Sequence, residues 1–261
     1  VVRHFEDGDI THVHDNVHPQ RDREIIESEL ILADLQTLEK RMIKSASEAR
    51  SGDKVKAAYH ELLERIKPEL ESGRRAIEID LDEDEKVLLQ DLHLITMMPL
   101  MYIVNMSEDA IGSADVNKLR TELGLSERTT VVPISAKVES ELIAFDEEEA
   151  QVFLEDLGLE ETGLHRLIRE AFSLLGLQTY FTAGVKEVRA WTVKKGATAP
   201  EAAGVIHTDF QEGFIRAEVT AYQDYVDCGG EQGAKEKGKL RLEGKEYIVK
   251  DGDVMHFRFS N

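Results

Sequence analysis

Two apolar runs near the middle of the chain, Pro99-Leu100-Met101-Tyr102-Ile103-Val104 and Thr129-Thr130-Val131-Val132-Pro133-Ile134, read as buried strands. Between them, residues 116–123 show helical spacing that stops at Gly124. Strand, helix and strand within about 35 residues favour a parallel βαβ crossover. Both strands then finish on the same edge of one sheet, and ligands of such sheets bind just beyond those carboxyl ends. Asn105 and Ser135 fall there, 30 positions apart in sequence and neighbours in space. A helical stretch over residues 147–175 is expected to close this region.

On either side the pattern changes. From Arg21 to about Ile77 it is helical: Ile31, Leu35, Leu38 and Met42 are spaced 4-3-4, and Val55, Tyr59, Leu62 and Ile66 repeat that spacing. Ser51-Gly52-Asp53 forms a turn between them, which predicts an antiparallel helical hairpin with an apolar seam. Pro68 is expected to kink or reset the second helix. The last 84 residues alternate short β-rich runs, "KEVRAWTV", "IRAEVTAY" and "DVMHFRF", with glycine-rich turns. With one helix near residues 200–205, they predict a small α+β domain.

Composition narrows the class. A chain of 261 residues accommodates two or three modest domains. No apolar run approaches the roughly 20 residues of a membrane helix. The N-terminus carries no basic-then-apolar signal, and a lone Cys228 suits a reducing compartment, so a cytoplasmic protein is expected. The chain opens on Val1 and what reads as a strand end, as expected for a piece of a longer protein. Residues 78–177 hold most of the formal net charge of −20, and the segments before and after are close to neutral. That balance does not exclude an approach to RNA phosphates by one face.

The first strand runs into Asn105-Met106-Ser107-Glu108. P-loop GTPases place Asn-Lys-x-Asp at such a strand end, where the aspartate accepts hydrogen bonds from guanine's ring N–H and exocyclic amine. Adenine offers an acceptor at that ring nitrogen, and Glu108 displaces the carboxylate by one methylene. The Asn105 amide still suits N7 and the amino group of adenine. Met106 is able to lie along a ring edge where GTPases put a lysine stem. The chemistry leans toward adenine or relaxed base choice, and the alternative is that Asn105 only caps a turn.

These residues, with "VVRHFEDGDITHV", "RDREIIESELILADLQTLEKR", "ISAKVESEL", "LQTYFTAG", "WTVKKGATAPEAAGVIHTDFQEGFIRAEV" and "EYIVKDGDVMHFRF", closely resemble the Obg-like ATPase (YchF) family over essentially the whole chain. The resemblance implies an α/β fold. A partial P-loop NTPase domain with a parallel sheet would take residues 1–20 and 87–177. An inserted antiparallel helical coiled-coil hairpin would take 21–86, and a C-terminal α+β ubiquitin-like β-grasp (TGS) domain 178–261. It also implies ATP preferred to GTP, association with the ribosome and its RNA, and Mg2+ held in a region outside this sequence. Carried over by position, Asn105 and Met106 would contact adenine, Met106 through its backbone carbonyl. Glu108 takes the aspartate position, Ser135, Ala136 and Lys137 form the second base-side loop, and Phe5 is the aromatic of the pocket. Phe5 as ordinary core stays an alternative.

There are departures. No Gly-x-x-x-x-Gly-Lys-Ser/Thr occurs: Lys239 and Lys245, the lysines after a glycine near the C-terminus, are followed by Leu240 and Glu246. The Asp-x-x-Gly that the family places just before the position of Val1 falls outside the sequence. These parts cradle phosphates and hold magnesium, so no catalytic residue is assigned and the chain alone is expected to be inactive. In "HVHDNVHPQRDREII", His12, His14 and His18 raise a metal site, but a solvated loop is the preferred reading, so no metal ligand is assigned. Cys228 has no partner base and reads as a turn residue. Lys40, Arg41, Lys44 and Arg50 on the hairpin, and Lys235, Lys237, Lys239 and Arg241 beside flexible glycines, are the candidate ribosome-facing cations. Two further classes stay open, a non-enzymatic ribosome-, RNA- or protein-binding module and a GTPase.

Overall fold

The computed structural model of the chain describes residues 1–8, 16–185 and 187–260. It divides into two compact units, residues 1–170 and 171–261. His12 and His14 lie outside the described residues.

The first unit opens with a two-residue strand, β1 (Val2–Arg3), and then a long helix, α1 (Pro19–Ala49). Pro19 occupies the first helical turn, where its missing N–H costs nothing, and His18 caps the end by accepting from the Arg21 amide through Nδ1. Gly52, at φ +83°, turns the chain, and Asp53 caps α2 (Lys54–Glu71) by accepting from the Val55 amide at 2.9 Å. Lys67 pairs with Glu39 and Ser45 with His60, which sets the two helices antiparallel. Leu38, Tyr59, Leu62, Leu63, Ile66 and Leu70 form the buried seam. Pro68 does not break the helix. It stands three residues from the end of α2, and the Ser72 amide still closes on its carbonyl.

The seam is not closed by the two helices alone. Residues 76–97, which hold α3 (Glu83–Leu89) and three short 3-10 turns, lay Ala76, Leu81, Leu89, Leu92 and Leu94 against it. Asp34 on α1, 2% exposed, fixes them in place. Its carboxylate accepts from the Ile95 amide (2.7 Å), the Thr96 amide (2.8 Å) and the Thr96 hydroxyl (2.6 Å).

That segment leads directly into β2 (Met101–Asn105), followed by α4 (Glu108–Ile111), α5 (Val116–Glu122) and β3 (Thr130–Ile134). The three strands are parallel in the order β1-β2-β3, with Asn105 opposite both Arg3 and Ile134. Val2, Tyr102, Val104, Met106, Leu119, Leu123 and Val131 share one core. The Tyr102 hydroxyl donates to Glu27 on α1, which also holds Arg23 at 2.9 Å, so the root of the hairpin is tied to the central strand.

The single helical stretch expected over residues 147–175 is two helices, preceded by α6 (Ala136–Leu142). Gly158, at φ +72°, ends α7 (Glu147–Asp156), and α8 (Gly163–Leu174) begins afresh. Glu139 caps α8, its carboxylate accepting from the Gly163 and Leu164 amides.

The second unit holds a five-stranded mixed sheet. Its strands are β4 (Leu177–Ala183), β5 (Val188–Lys194), β6 (Phe214–Ala221), β7 (Arg241–Glu243) and β8 (Asp253–Phe259), in the order β5-β4-β8-β6-β7. Only the β4–β8 pair is parallel. The expected helix is α9 (Ala199–Ile206), whose Ala199, Ala202 and Ala203 pack on Tyr180, Val219 and Met255. Three short helices were not anticipated: α10 (Thr208–Glu212), α11 (Tyr222–Asp227) and α12 (Glu231–Glu236).

Candidate functional site

The carboxyl edge of the three-stranded sheet collects the candidate base-contacting residues. The His4 amide donates to the Asn105 carbonyl at 2.8 Å, and the Met106 amide to the Ile134 carbonyl at 2.8 Å, so all three strands end in register. Asn105 reaches across this edge. Its Oδ1 accepts from the Ala136 amide at 3.0 Å, satisfying a free N–H at the start of α6. The residue therefore does cap a helix end, with one half of its amide. The Nδ2 half has no acceptor among the described residues.

Met106 departs from the sequence expectation. Its side chain is buried in the sheet core with Val104 and Leu123 rather than lying along the edge. Period-2 alternation past the strand end turns it inward, leaving its backbone carbonyl, which accepts nothing from the described residues, as its polar group at the edge. Ser135 is buried at 2% exposure, and its hydroxyl has no hydrogen-bond partner among the described residues. An unpaired buried hydroxyl costs about 1–3 kcal/mol, so this loop is not optimised for stability alone. Phe5, two residues beyond β1, is half-buried and outside the sheet core, and the Arg3 guanidinium stacks on it at 4.7 Å.

Glu108 begins α4 and Lys137 is the second residue of α6. Their side chains meet at 2.5 Å, and Glu141 stands 3.9 Å from the same ammonium. The hydrogen bond to Glu108, and then its charge, holds the Lys137 ammonium above the usual lysine range. The Glu108 carboxylate is thus already engaged by Lys137.

These groups suit a purine base: an amide donor and a carbonyl acceptor without partners among the described residues, and an orphaned hydroxyl, beside Phe5 with Arg3 stacked on it. No group for a triphosphate or Mg2+ is assigned at this edge. The glycine-rich lysine motif is absent from the sequence. The one group of three metal-ligating side chains found among the described residues is Glu218, Glu231 and His256, on β6, α12 and β8 of the second unit. There Glu218 is already forked to Arg258 at 3.0 and 3.2 Å. Sequence reading missed this group because Glu218 and His256 face each other only through strand register.

The candidate ribosome-facing cations separate. Lys40, Lys44, Arg50, Lys235, Lys237 and Lys239 are exposed, though Lys239 meets Asp224 at 3.1 Å. Arg41 is withdrawn from the solvated face: its guanidinium lies over Tyr59 at 4.8 Å and bonds Glu48. Arg241 is likewise drawn into Tyr247 and Asp253. The expected flexible loop around residues 228–241 contains α12, with half-buried Cys228 just after α11. His18, with Nδ1 on a backbone amide, serves as a helix cap.

A family model named YchF-GTPase_C, described as a protein of unknown function (DUF933), matches residues 177–260. The "Ribosome-binding ATPase YchF" of Bacillus subtilis (strain 168) is 50% identical over 264 residues, covering all of this chain and 72% of that protein. Its namesake in Mycoplasma genitalium is 40% identical over 265 residues, with the same coverage. Among solved structures, that of the Schizosaccharomyces pombe YchF GTPase superposes with a TM-score of 0.81 at 34% identity, covering 98% of this chain and 70% of that one.

Proposed function

The chain belongs to the YchF family, and from that premise we propose that it supplies the base-recognising and ribosome-facing parts of a cytoplasmic, ribosome-associated protein that hydrolyses ATP in preference to GTP. One observation carries the reading. Asn105 Oδ1 is held by the Ala136 amide, which leaves Nδ2 as the donor this reading offers to a ligand. In the pose this supports, Nδ2 donates to the purine N7 and the Met106 carbonyl accepts from the six-amino group. Phe5 covers one face of the ring, and Ser135, Ala136 and Lys137 wall the other side of the edge. A six-oxo group would set oxygen against the Met106 carbonyl, which disfavours guanine.

In the same reading the α1–α2 hairpin is a coiled-coil insertion spanning residues 21–86, between the two parts, 1–20 and 87–177, of the nucleotide domain. Residues 178–261 are a TGS domain, an assignment supported by the strand order β5-β4-β8-β6-β7 with α9 on one face. Exposed Lys40, Lys44, Lys235, Lys237 and Lys239 are the cations offered to ribosomal RNA. Reversing the charges of the lysines on either element should weaken co-sedimentation with ribosomes at low salt, and unchanged pelleting removes that element from the contact.

Displacement of a fluorescent ATP analogue by unlabelled nucleotides tests the base assignment. ATP should compete at lower concentration than GTP, and equal or better competition by GTP overturns it in favour of a GTPase. With no phosphate cradle in the sequence, the chain alone should show no steady-state ATP hydrolysis. A second reading is a non-enzymatic binding module, which absence of any displacement together with retained ribosome binding would support.

A further inference from the structure

The ion pair between Glu108 and Lys137 joins two helix starts 29 positions apart in sequence, at the edge where the base reading puts a purine. We propose that Lys137 is a specificity-determining residue that disfavours guanine by drawing the Glu108 carboxylate off the purine edge; the inference rests on the base reading given above. An unengaged carboxylate beside that edge would accept from guanine's ring N–H and two-amino group, and would repel the lone pair on adenine's ring nitrogen. Held at 2.5 Å by an ammonium, the same carboxylate does neither. Glu141 and Asp109 are the other acidic groups acting on that ammonium, and both keep it charged. In this arrangement Lys137 walls the edge without a hydrogen bond to the base. It positions Glu108, while the adenine contacts remain with Asn105 and Met106.

The test is a double-mutant cycle read as a ratio. Displacement of a fluorescent ATP analogue is measured with ATP and with GTP for the wild-type chain, Lys137→Met, Lys137→Arg, Glu108→Ala and the double variant Lys137→Met/Glu108→Ala. An exposed pair couples weakly, so the ATP-to-GTP preference should fall about fivefold in Lys137→Met. It should return in Lys137→Arg, which keeps the pair, and in the double variant, which has no carboxylate to release. Loss of both nucleotides in proportion, or an unchanged ratio in Lys137→Met, overturns the proposal while leaving the base site standing. A wild-type chain that displaces no analogue overturns the base reading, and this inference with it.

Discussion

Replacing Asp34 by alanine should loosen the first unit from a point far from any ligand. The carboxylate is 2% exposed and accepts three hydrogen bonds, from two backbone amides and one hydroxyl of residues 95 and 96. Truncation removes a charged acceptor and strands two amide donors. The Thr96 hydroxyl keeps a role as acceptor for the Ala76 amide at 2.9 Å. Hydrogen bonds to charged groups contribute about 1.5–3 kcal/mol each, and their losses are not additive, so the expected cost is about 3–4 kcal/mol. With a urea slope of about 2 kcal/mol/M, the midpoint followed by far-UV circular dichroism should fall by about 1.5–2 M. Asp34→Asn, which keeps one oxygen acceptor, should lose about half as much. Because residues 95 and 96 lead into β2, Asp34→Ala should also weaken nucleotide displacement at Asn105. A loss below about 1 kcal/mol would refute the claim that Asp34 fixes the segment covering the hairpin seam.

Two further perturbations probe the same unit. Burial, followed by the Glu27 carboxylate, pushes the Tyr102 hydroxyl up to about 12. Its stabilising contribution is fully present below the ordinary tyrosine value near 10 and is lost as pH rises through 12, by up to about 2–3 kcal/mol. Urea midpoints from pH 9 to 12 should therefore fall less steeply in Tyr102→Phe than in wild type. A Cβ at Gly112 would stand 2.0 Å from the Leu157 carbonyl oxygen, which is backbone and does not yield cheaply. Gly112→Ala should displace α4 and lower both stability, by about 2 kcal/mol or more, and nucleotide competition, whereas a neutral effect in denaturation and binding would contradict that close approach.

Much of this architecture is legible in residue order because its signals are local. The 4-3-4 spacing of Ile31, Leu35, Leu38 and Met42 marked the hairpin seam, and Leu38 is fully buried there. Val55 carries the same spacing but is 66% exposed, because it sits in the first turn of α2, where the hairpin ends. The two strands and the shared edge of Asn105 and Ser135 followed from the βαβ rule. What escaped depended on contacts distant in sequence. Asp34 reads as one more polar residue on a helix until residues 95 and 96 meet it. Met106 is the exception, since the inward-outward alternation of β2 carried one residue past the strand already turns it into the core. Arg41 looks like its neighbours Lys40 and Lys44 and is separated from them by Tyr59 on the facing helix and by Glu48. The ion pair of Glu108 and Lys137 joins two motifs that had each been singled out, and only the fold shows that they meet.

Nuclear magnetic resonance of the isotope-labelled chain, titrated with ATP, addresses the base site most directly. We expect the side-chain amide resonances of Asn105 and the backbone amide of Ala136 to move first and furthest, with smaller shifts for an equal concentration of GTP. Shifts confined to other parts of the chain, or equal shifts for the two nucleotides, would contradict an adenine-selecting edge at the end of β2.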